Sequence, residues 1–230
     1  MALGLVQGPT ELLPVSSSGH LVLLGSRDKA FEVFLHAGSA VAMLAAMPRP
    51  RLRPLTLAPA AVVGLAFEGP IEQRLGVRSV AIAQVAGGIA LLLADRAPER
   101  RSDADARPRD ELLIGLAQAC ALVPGVSRNG ATITAARVLG FRRDAASRIS
   151  RDAALPVIAG ATLLKVLRLE GDRPSGAHTA GFAAALASGL AAARLVPRID
   201  RVRSYAPFGL YRVAVGLLAL RFVRLNGRND

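Results

Sequence analysis

The sequence has no tryptophan, two tyrosines and seven phenylalanines, so aromatic residues make up only 4% of its 230 positions. Proteins that bind nucleic acid lean on aromatic stacking or zinc-held fingers, and no Cys/His zinc spacing occurs, so no nucleic-acid partner is expected. The single cysteine, Cys120, excludes an intramolecular disulfide framework. Set in an apolar stretch, it is expected to be a small buried residue. No P-loop, GxSxG or HExxH pattern is present. Carboxylates nowhere crowd as an all-protein two-metal site requires. No basic region precedes the first apolar stretch and no small-residue cleavage site follows it, so no cleavable signal peptide is expected; a protein with several membrane spans needs none.

Acidic residues are also scarce. Asp and Glu number 17 against 29 Lys and Arg, a net charge of +12 carried almost entirely by arginine. Such basicity suits anionic lipid or a phosphorylated substrate. Hydrophobic residues reach 52%, and the mean hydropathy is +0.38. They come in blocks at 31–47, 55–68, 78–94, 145–167, 177–196 and 205–223. A soluble alanine-rich bundle would show amphipathic stripes, whereas these blocks are apolar on all faces. A helix needs roughly 20 residues to cross the hydrocarbon. The block at 55–68 is short, and only 174–193 offers a long charge-free run.

Two further pairs of short apolar pieces, 1–13 with 19–25 and 111–123 with 130–140, flank two polar elbows: "ELLPVSSSGH" at 11–20 and "LVPGVSRNGA" at 122–131. These pieces are too short to span. Each pair reads as a re-entrant hairpin, a helix that enters, breaks and leaves on the same side. Irregular backbone at membrane depth persists only when buried in protein or lining a watered cavity. The fold expected is an all-α integral membrane protein with about six transmembrane helices and two re-entrant helical hairpins. The arginine-rich links at 48–54, 95–110, 141–144 and 197–204 then share one face, the cytoplasmic one, while 26–30, 69–77 and 168–176 lie opposite.

The elbows match at a constant offset. Gly4, Leu5, Gln7, Val15, Ser16 and Gly19 fall on Gly115, Leu116, Gln118, Val126, Ser127 and Gly130. Entry from opposite faces makes the chain an inverted-topology repeat whose broken helices meet near the midplane. Repeat one covers about 1–94, a linker about 95–110 and repeat two about 111–230, within one membrane domain.

A helix restarts after each elbow. Ser16, Ser17 and Ser18 precede one start, Ser127 and Asn129 the other, and all are good capping residues. Free N–H groups at such ends suit an anion. Arg128 at membrane depth costs about 2.5–3.5 kcal/mol on insertion scales and calls for an anionic partner, a phosphate or the carboxylate of Glu11. Glu11 lies one turn after Gln7 on the same face, as a base or metal ligand. His20, three residues beyond Ser17, shares its side of a first helical turn. Ser17, His20 and Glu11 together supply a nucleophile, a proton carrier and a base, and Thr132 adds a hydrogen-bond donor. The arrangement suits phosphoryl transfer, with either Ser17 or an activated water attacking phosphorus. His36, inside the next block, reads as structural. A transporter or flippase of a phosphorylated lipid is the alternative, since inverted repeats with broken helices are common there; transport needs no nucleophile.

At these residues the chain resembles the membrane undecaprenyl-diphosphate phosphatases, the bacitracin-resistance family. "GLVQGPTELLPVSSSGHL" and "ALVPGVSRNGATIT" look like its two signatures; "FEVFLHAGSAVAML" and "ALPVIAGATLLK" resemble further segments. The resemblance implies hydrolysis of undecaprenyl diphosphate to the monophosphate and inorganic phosphate, recycling the carrier lipid for cell-wall synthesis. It implies a multi-pass plasma-membrane protein with its active site open to the outer side, a homodimer, and a divalent cation, Mg or Ca. Carried over by motif, Glu11, Ser17, His20 and Arg128 are catalytic; Gln7, Ser16, Ser18, Ser127, Asn129, Gly130 and Thr132 bind substrate; Glu11 holds the metal. Three departures stand out. Gln7 replaces a second glutamate, Asn129 replaces the second serine of the SRS turn, and Arg151–Asp152 interrupts a segment that is usually apolar.

Overall fold

A computed structural model of the chain describes residues 1–26, 28–169, 174–199, 201 and 203–225. The described residues form helices and turns, with no strand beyond an isolated bridge between Arg101 and Phe141. In chain order the helices are α1 (Ala2–Leu12), α2 (Ser17–Leu23), α3 (Lys29–Ala46), α4 (Pro54–Arg74), α5 (Val77–Asp95), α6 (Pro108–Ala119), α7 (Arg128–Val138), α8 (Arg143–Leu167), α9 (Gly176–Ala193), the single turn α10 (Val196–Ile199) and α11 (Ala206–Leu225). Their starts follow local chemistry. Asp28 caps α3 by accepting from the Phe31 amide at 2.9 Å, and proline takes the first position of α4 and of α6, where no amide hydrogen is needed.

The six apolar blocks correspond to the six long helices. Three of these, α3, α5 and α11, are long and apolar enough to cross a membrane. In α4 only Pro54–Phe67 is apolar, but the helix continues to Arg74. Charged residues crowd the first half of α8, and α9 is built from alanine and glycine. Block 177–196 stops early as a helix, at Ala193, because Val196–Ile199 forms a separate turn. Parts of the links at 26–30, 168–176 and 197–204 lie outside the described residues.

Small residues set the packing. Gly4 and Gly8 lie one turn apart on α1 and let it lie against α9: a Cβ at Gly4 would stand 2.6 Å from the Gly181 carbonyl, and one at Gly8 would collide with the backbone of Gly189. Between helices in lipid, such close approach replaces the hydrophobic drive available in water. Further contacts run α3 to α9 and α8, α6 to α4, α7 to α5 and α8, α2 to α5, and α11 to α5. Leu12, Ala40, Met43, Ala154, Leu155 and Ile158 form one core beneath the end of α1. Large apolar side chains point outward instead, among them Leu44, Leu65, Ile82, Leu93, Leu163, Leu217 and Phe222. Polar groups such as Gln7, Glu11, Gln84 and Arg212 are buried within. That inversion of the soluble pattern fits a lipid surround.

The arginine-rich links form a clasp. Arg53 pairs with Glu111 at 2.8 Å, Arg148 with Asp103 at 2.9 Å and Arg143 with Asp95 at 2.7 Å. Arg101 donates to both carboxylate oxygens of Asp110. The Asp110 carboxyl is held below the ordinary carboxylate range, chiefly by that bond to Arg101. Arg151 and Asp152 are both half-buried on α8, and Asp152 feels the charges of Arg51 and Arg53 as well as Arg151.

Cys120 corrects an expectation: it is exposed, not buried. It sits where α6 tightens into a 3-10 turn at Cys120–Leu122, and its thiol reaches back to the Leu116 carbonyl at 3.5 Å.

Candidate functional site

Both elbows are made the same way. Ser16 has φ 71° and Ser127 has φ 68°, the only non-glycine residues with positive φ among those described. Each serine caps the helix that follows. Ser16 Oγ accepts from the Gly19 amide at 3.2 Å, and Ser127 Oγ accepts from the Gly130 amide at 3.1 Å. A non-glycine residue in the left-handed region is strained, and such strain gathers where function fixes the backbone. Each returning helix also ends alike, at a left-handed glycine, Gly25 or Gly140. The second return, α7, is 11 residues long against 7 for α2. Within the helix starts, the amides of Ser17, Ser18, Arg128 and Asn129 have no intrahelical acceptor by position.

Glu11 is where the elbows meet. Arg128 Nη2 donates to its Oε1 at 2.6 Å across 117 residues of sequence. Ser17 Oγ donates to its Oε2 at 2.7 Å, and Gln7 Nε2 donates to the same oxygen at 2.9 Å. Asn129 Nδ2 donates to the Glu11 and Leu12 carbonyls at 3.0 Å each, filling free acceptors at the end of α1. Asn129 therefore sews the second elbow to the first helix, while Ser127 does the capping. The Glu11 carboxylate is 5% exposed and the Arg128 side chain 17%, so the pair is shielded from bulk water. Arg128 Nε is buried without a hydrogen-bond partner, a donor facing nothing in the protein.

His36, which reads as structural in the sequence, belongs to this cluster. Its Nδ1 lies 3.0 Å from Gln7 Nε2 and 3.3 Å from Glu11 Oε2. Its placement comes from α3 packing beside α1, which no local pattern announces.

His20 is not where the spacing puts it. Its Nδ1 bonds the Ser16 carbonyl at 2.7 Å and its Nε2 bonds the Tyr211 hydroxyl at 2.7 Å; the two rings stack with 5.6 Å between centroids. A carbonyl can only accept, so Nδ1 carries the proton. The backbone carbonyl four residues earlier outcompetes Ser17 for the imidazole, and Ser17 turns to Glu11. His20 thus faces α11, and no direct Ser17–His20 hydrogen bond forms. Thr132 donates to the carbonyls of Arg128 at 2.9 Å and Asn129 at 3.2 Å, and meets Ser150 Oγ at 2.7 Å. It braces the start of α7 against α8 and does not reach the cluster. Ser18 is half-buried at the second position of α2, and Gly130 packs against the Arg212 guanidinium.

Arg212 and Gln84 tie both elbows together and were not singled out in the sequence. Arg212 Nη2 donates to the Gly125 and Val126 carbonyls at 2.9 and 2.6 Å, and its Nε donates to Gln84 Oε1 at 3.1 Å. Gln84 Nε2 in turn donates to the Val15 carbonyl at 3.0 Å. One guanidinium and one amide hold the turn before each capping serine. The available signal was an arginine inside an apolar block, which is rare without a task.

For a divalent cation the relevant donors are Glu11, the His36 imidazole and the Gln7 amide oxygen, which is buried and lacks a partner. Among the described residues no group of three or more His, Cys, Asp or Glu stands together. The site brings the Arg128 guanidinium and a serine hydroxyl to the two oxygens of one carboxylate, beside helix starts whose first amides lack intrahelical acceptors.

The chain matches the family described as bacitracin resistance protein BacA over residues 1–54 and 54–218. It is 38% identical to an undecaprenyl-diphosphatase of Geobacter sulfurreducens over 261 aligned positions, covering 96% of this chain and 97% of that one. It is 34% identical to an undecaprenyl-diphosphatase of Neisseria gonorrhoeae, covering 96% and 93%, and 36% identical to one of Geotalea daltonii, covering 96% of each. With near-complete coverage on both sides and the paired serine elbows in place, the chain belongs to the bacitracin resistance protein BacA family.

Proposed function

We propose that the protein hydrolyses undecaprenyl diphosphate to undecaprenyl phosphate and inorganic phosphate at the membrane. The observation that carries this reading is the Ser17 hydroxyl bonded to Glu11 at 2.7 Å, with Arg128 on the opposite carboxylate oxygen at 2.6 Å. Relatives named for this activity match nearly the whole chain.

In the proposed reaction Ser17 Oγ attacks the terminal phosphorus and gives its proton to Glu11 Oε2. The bridging P–O bond breaks, and the lipid leaves as its monophosphate. Water then attacks the phosphoserine phosphorus and the P–Oγ bond breaks; Glu11 returns its proton to Ser17 Oγ, one water proton stays on the inorganic phosphate and the other passes to solvent. Arg128 and the free elbow amides neutralise the charge on the transferring phosphoryl oxygens. The leaving phosphate has a second pKa of about 6, so it departs as an anion near neutral pH and needs no proton from His20. His20 instead holds the strained Ser16 through its carbonyl, with Tyr211 fixing the other side of the ring. A divalent cation bound at Glu11, His36 and the Gln7 amide oxygen would supply further charge neutralisation.

Within this reading the six long helices all span, the two hairpins are re-entrant, and the chain is an inverted repeat with an arginine clasp on the cytoplasmic side. The site opens outward. The resemblance adds a homodimer, to be checked by cross-linking in native membranes. The test of the function is phosphate release from undecaprenyl diphosphate in detergent, with Ser17→Ala and Arg128→Ala beside the unaltered chain. Loss in both variants is expected. Robust release by both would reject the site.

A further inference from the structure

We infer that the outer face of α6 seats a phospholipid of net negative charge, with its phosphate against Arg107 and Arg109 and its tails along the leucines that follow. The inference goes beyond the phosphatase reading and does not depend on it.

Helical spacing lays out the face. Arg109, Leu112, Leu113, Leu116 and Cys120 recur at intervals that place them on one side of α6 and of the turn that ends it. All five are exposed. Asp110, Ile114 and Gln118 take the other side and are buried, where α6 packs on α4 and α7. In a membrane protein an exposed leucine stripe meets acyl tails, and an arginine at its end reaches the headgroups. The length agrees. Positions 109 and 120 are about 16 Å apart along a helix rising about 1.5 Å per residue, and half the hydrocarbon thickness is about 15 Å. With Arg109 at headgroup level, Cys120 lies near the midplane, where tails end.

Charge selects the headgroup. The neighbouring carboxylates are already engaged: Asp110 by Arg101, Glu111 by Arg53, and Asp103 by Arg51 and Arg148. Asp105 accepts from the Ser102 amide and hydroxyl at 2.8 Å each. Arg100, Arg107 and Arg109 are exposed and form no ion pair with another described residue. Arg100 and Arg107 border one open depression at the head of α6. A soluble phosphate compound would use the arginines alone. The leucine stripe running on from them fits a lipid.

The chain's single cysteine supplies the probe. The full chain, carrying a bimane on Cys120, is placed in phosphatidylcholine vesicles. Bimane emission is followed as tail-brominated phosphatidylglycerol or tail-brominated phosphatidylcholine replaces the host lipid. Both should quench, because the face meets tails. Phosphatidylglycerol should reach half its effect at a fraction at least about 5-fold lower, the factor that one arginine contributes near a membrane surface. The gap should narrow in about 1 M salt, where the screening length falls to about 3 Å. In Arg107→Gln/Arg109→Gln the gap should close, while quenching by phosphatidylcholine stays at the parent level and shows the face intact. Equal quenching by the two lipids in the parent, or an undiminished gap in the double variant, would overturn the inference. So would an absence of quenching by either lipid, the result expected if a second copy of the chain covers this face.

Discussion

Replacing Glu11 with glutamine probes the meeting of the elbows directly. The carboxylate accepts from Ser17 at 2.7 Å, Gln7 at 2.9 Å and Arg128 at 2.6 Å. An amide oxygen still accepts from one of them but holds no charge and takes no proton. Removing a positioned general base lowers the rate by about 10²–10⁴-fold. Breaking a shielded ion pair by neutralising one partner costs about 3–5 kcal/mol, because the other charge stays behind. The low end, about 3 kcal/mol, applies here, since the amide oxygen can still bond Arg128. Arg128→Met strands the carboxylate and should destabilise by about 3–5 kcal/mol. The double variant Glu11→Gln/Arg128→Met leaves no stranded charge, so its loss of stability should fall short of the sum by about 2 kcal/mol. Its activity should be no better than that of either single variant. Stability is read by thermal unfolding in detergent and rate by phosphate release. Strictly additive stabilities, or a Glu11→Gln rate within a few-fold of the parent, would refute the reasoning.

Three further outcomes follow from the same contacts. Arg212→Met releases the carbonyls of Gly125 and Val126 and the link through Gln84 to Val15; a displaced elbow should lower kcat by about 100-fold, as small misplacements do, with a milder loss in Gln84→Leu. Ser127→Ala keeps the strained φ and loses the cap, so it should destabilise by about 1 kcal/mol, whereas Ser127→Gly should stay within a few tenths; unfolding midpoints decide. Asp110 contributes stability that is present above the ordinary carboxylate pKa of about 4 and lost as pH falls through its lowered folded value, so Asp110→Asn should flatten the acid limb of a stability–pH curve.

Much of this architecture could be read from residues alone, for definite reasons. The elbows announce themselves because proline, serine and glycine break two apolar pieces in the same order, with the serine and glycine at one offset. The long helices follow from the blocks, since apolar runs in lipid need only length. The failures are equally physical. The end of α4 at Arg74 lies beyond its apolar run, where helix propagation continues past the lipid signal. An i,i+3 spacing suggested that Ser17 and His20 act together, but a backbone carbonyl and Glu11 compete for them and win. His36, Gln84 and Arg212 reach the site through helix packing between distant segments, which has no local signature. Gln7 and Asn129 were visible as departures. Their tasks, facing His36 and bridging to the α1 carbonyls, arise only from the packing of distant segments.

The most direct measurement is an experimental structure of the chain bound to a non-hydrolysable methylene diphosphonate of the same polyprenol. The account predicts the terminal phosphonate within hydrogen-bonding distance of both Ser17 Oγ and the Arg128 guanidinium, with Glu11 still bonded to Ser17. A diphosphonate held by residues of one elbow only, with Ser17 and Arg128 contacting different groups, would contradict it.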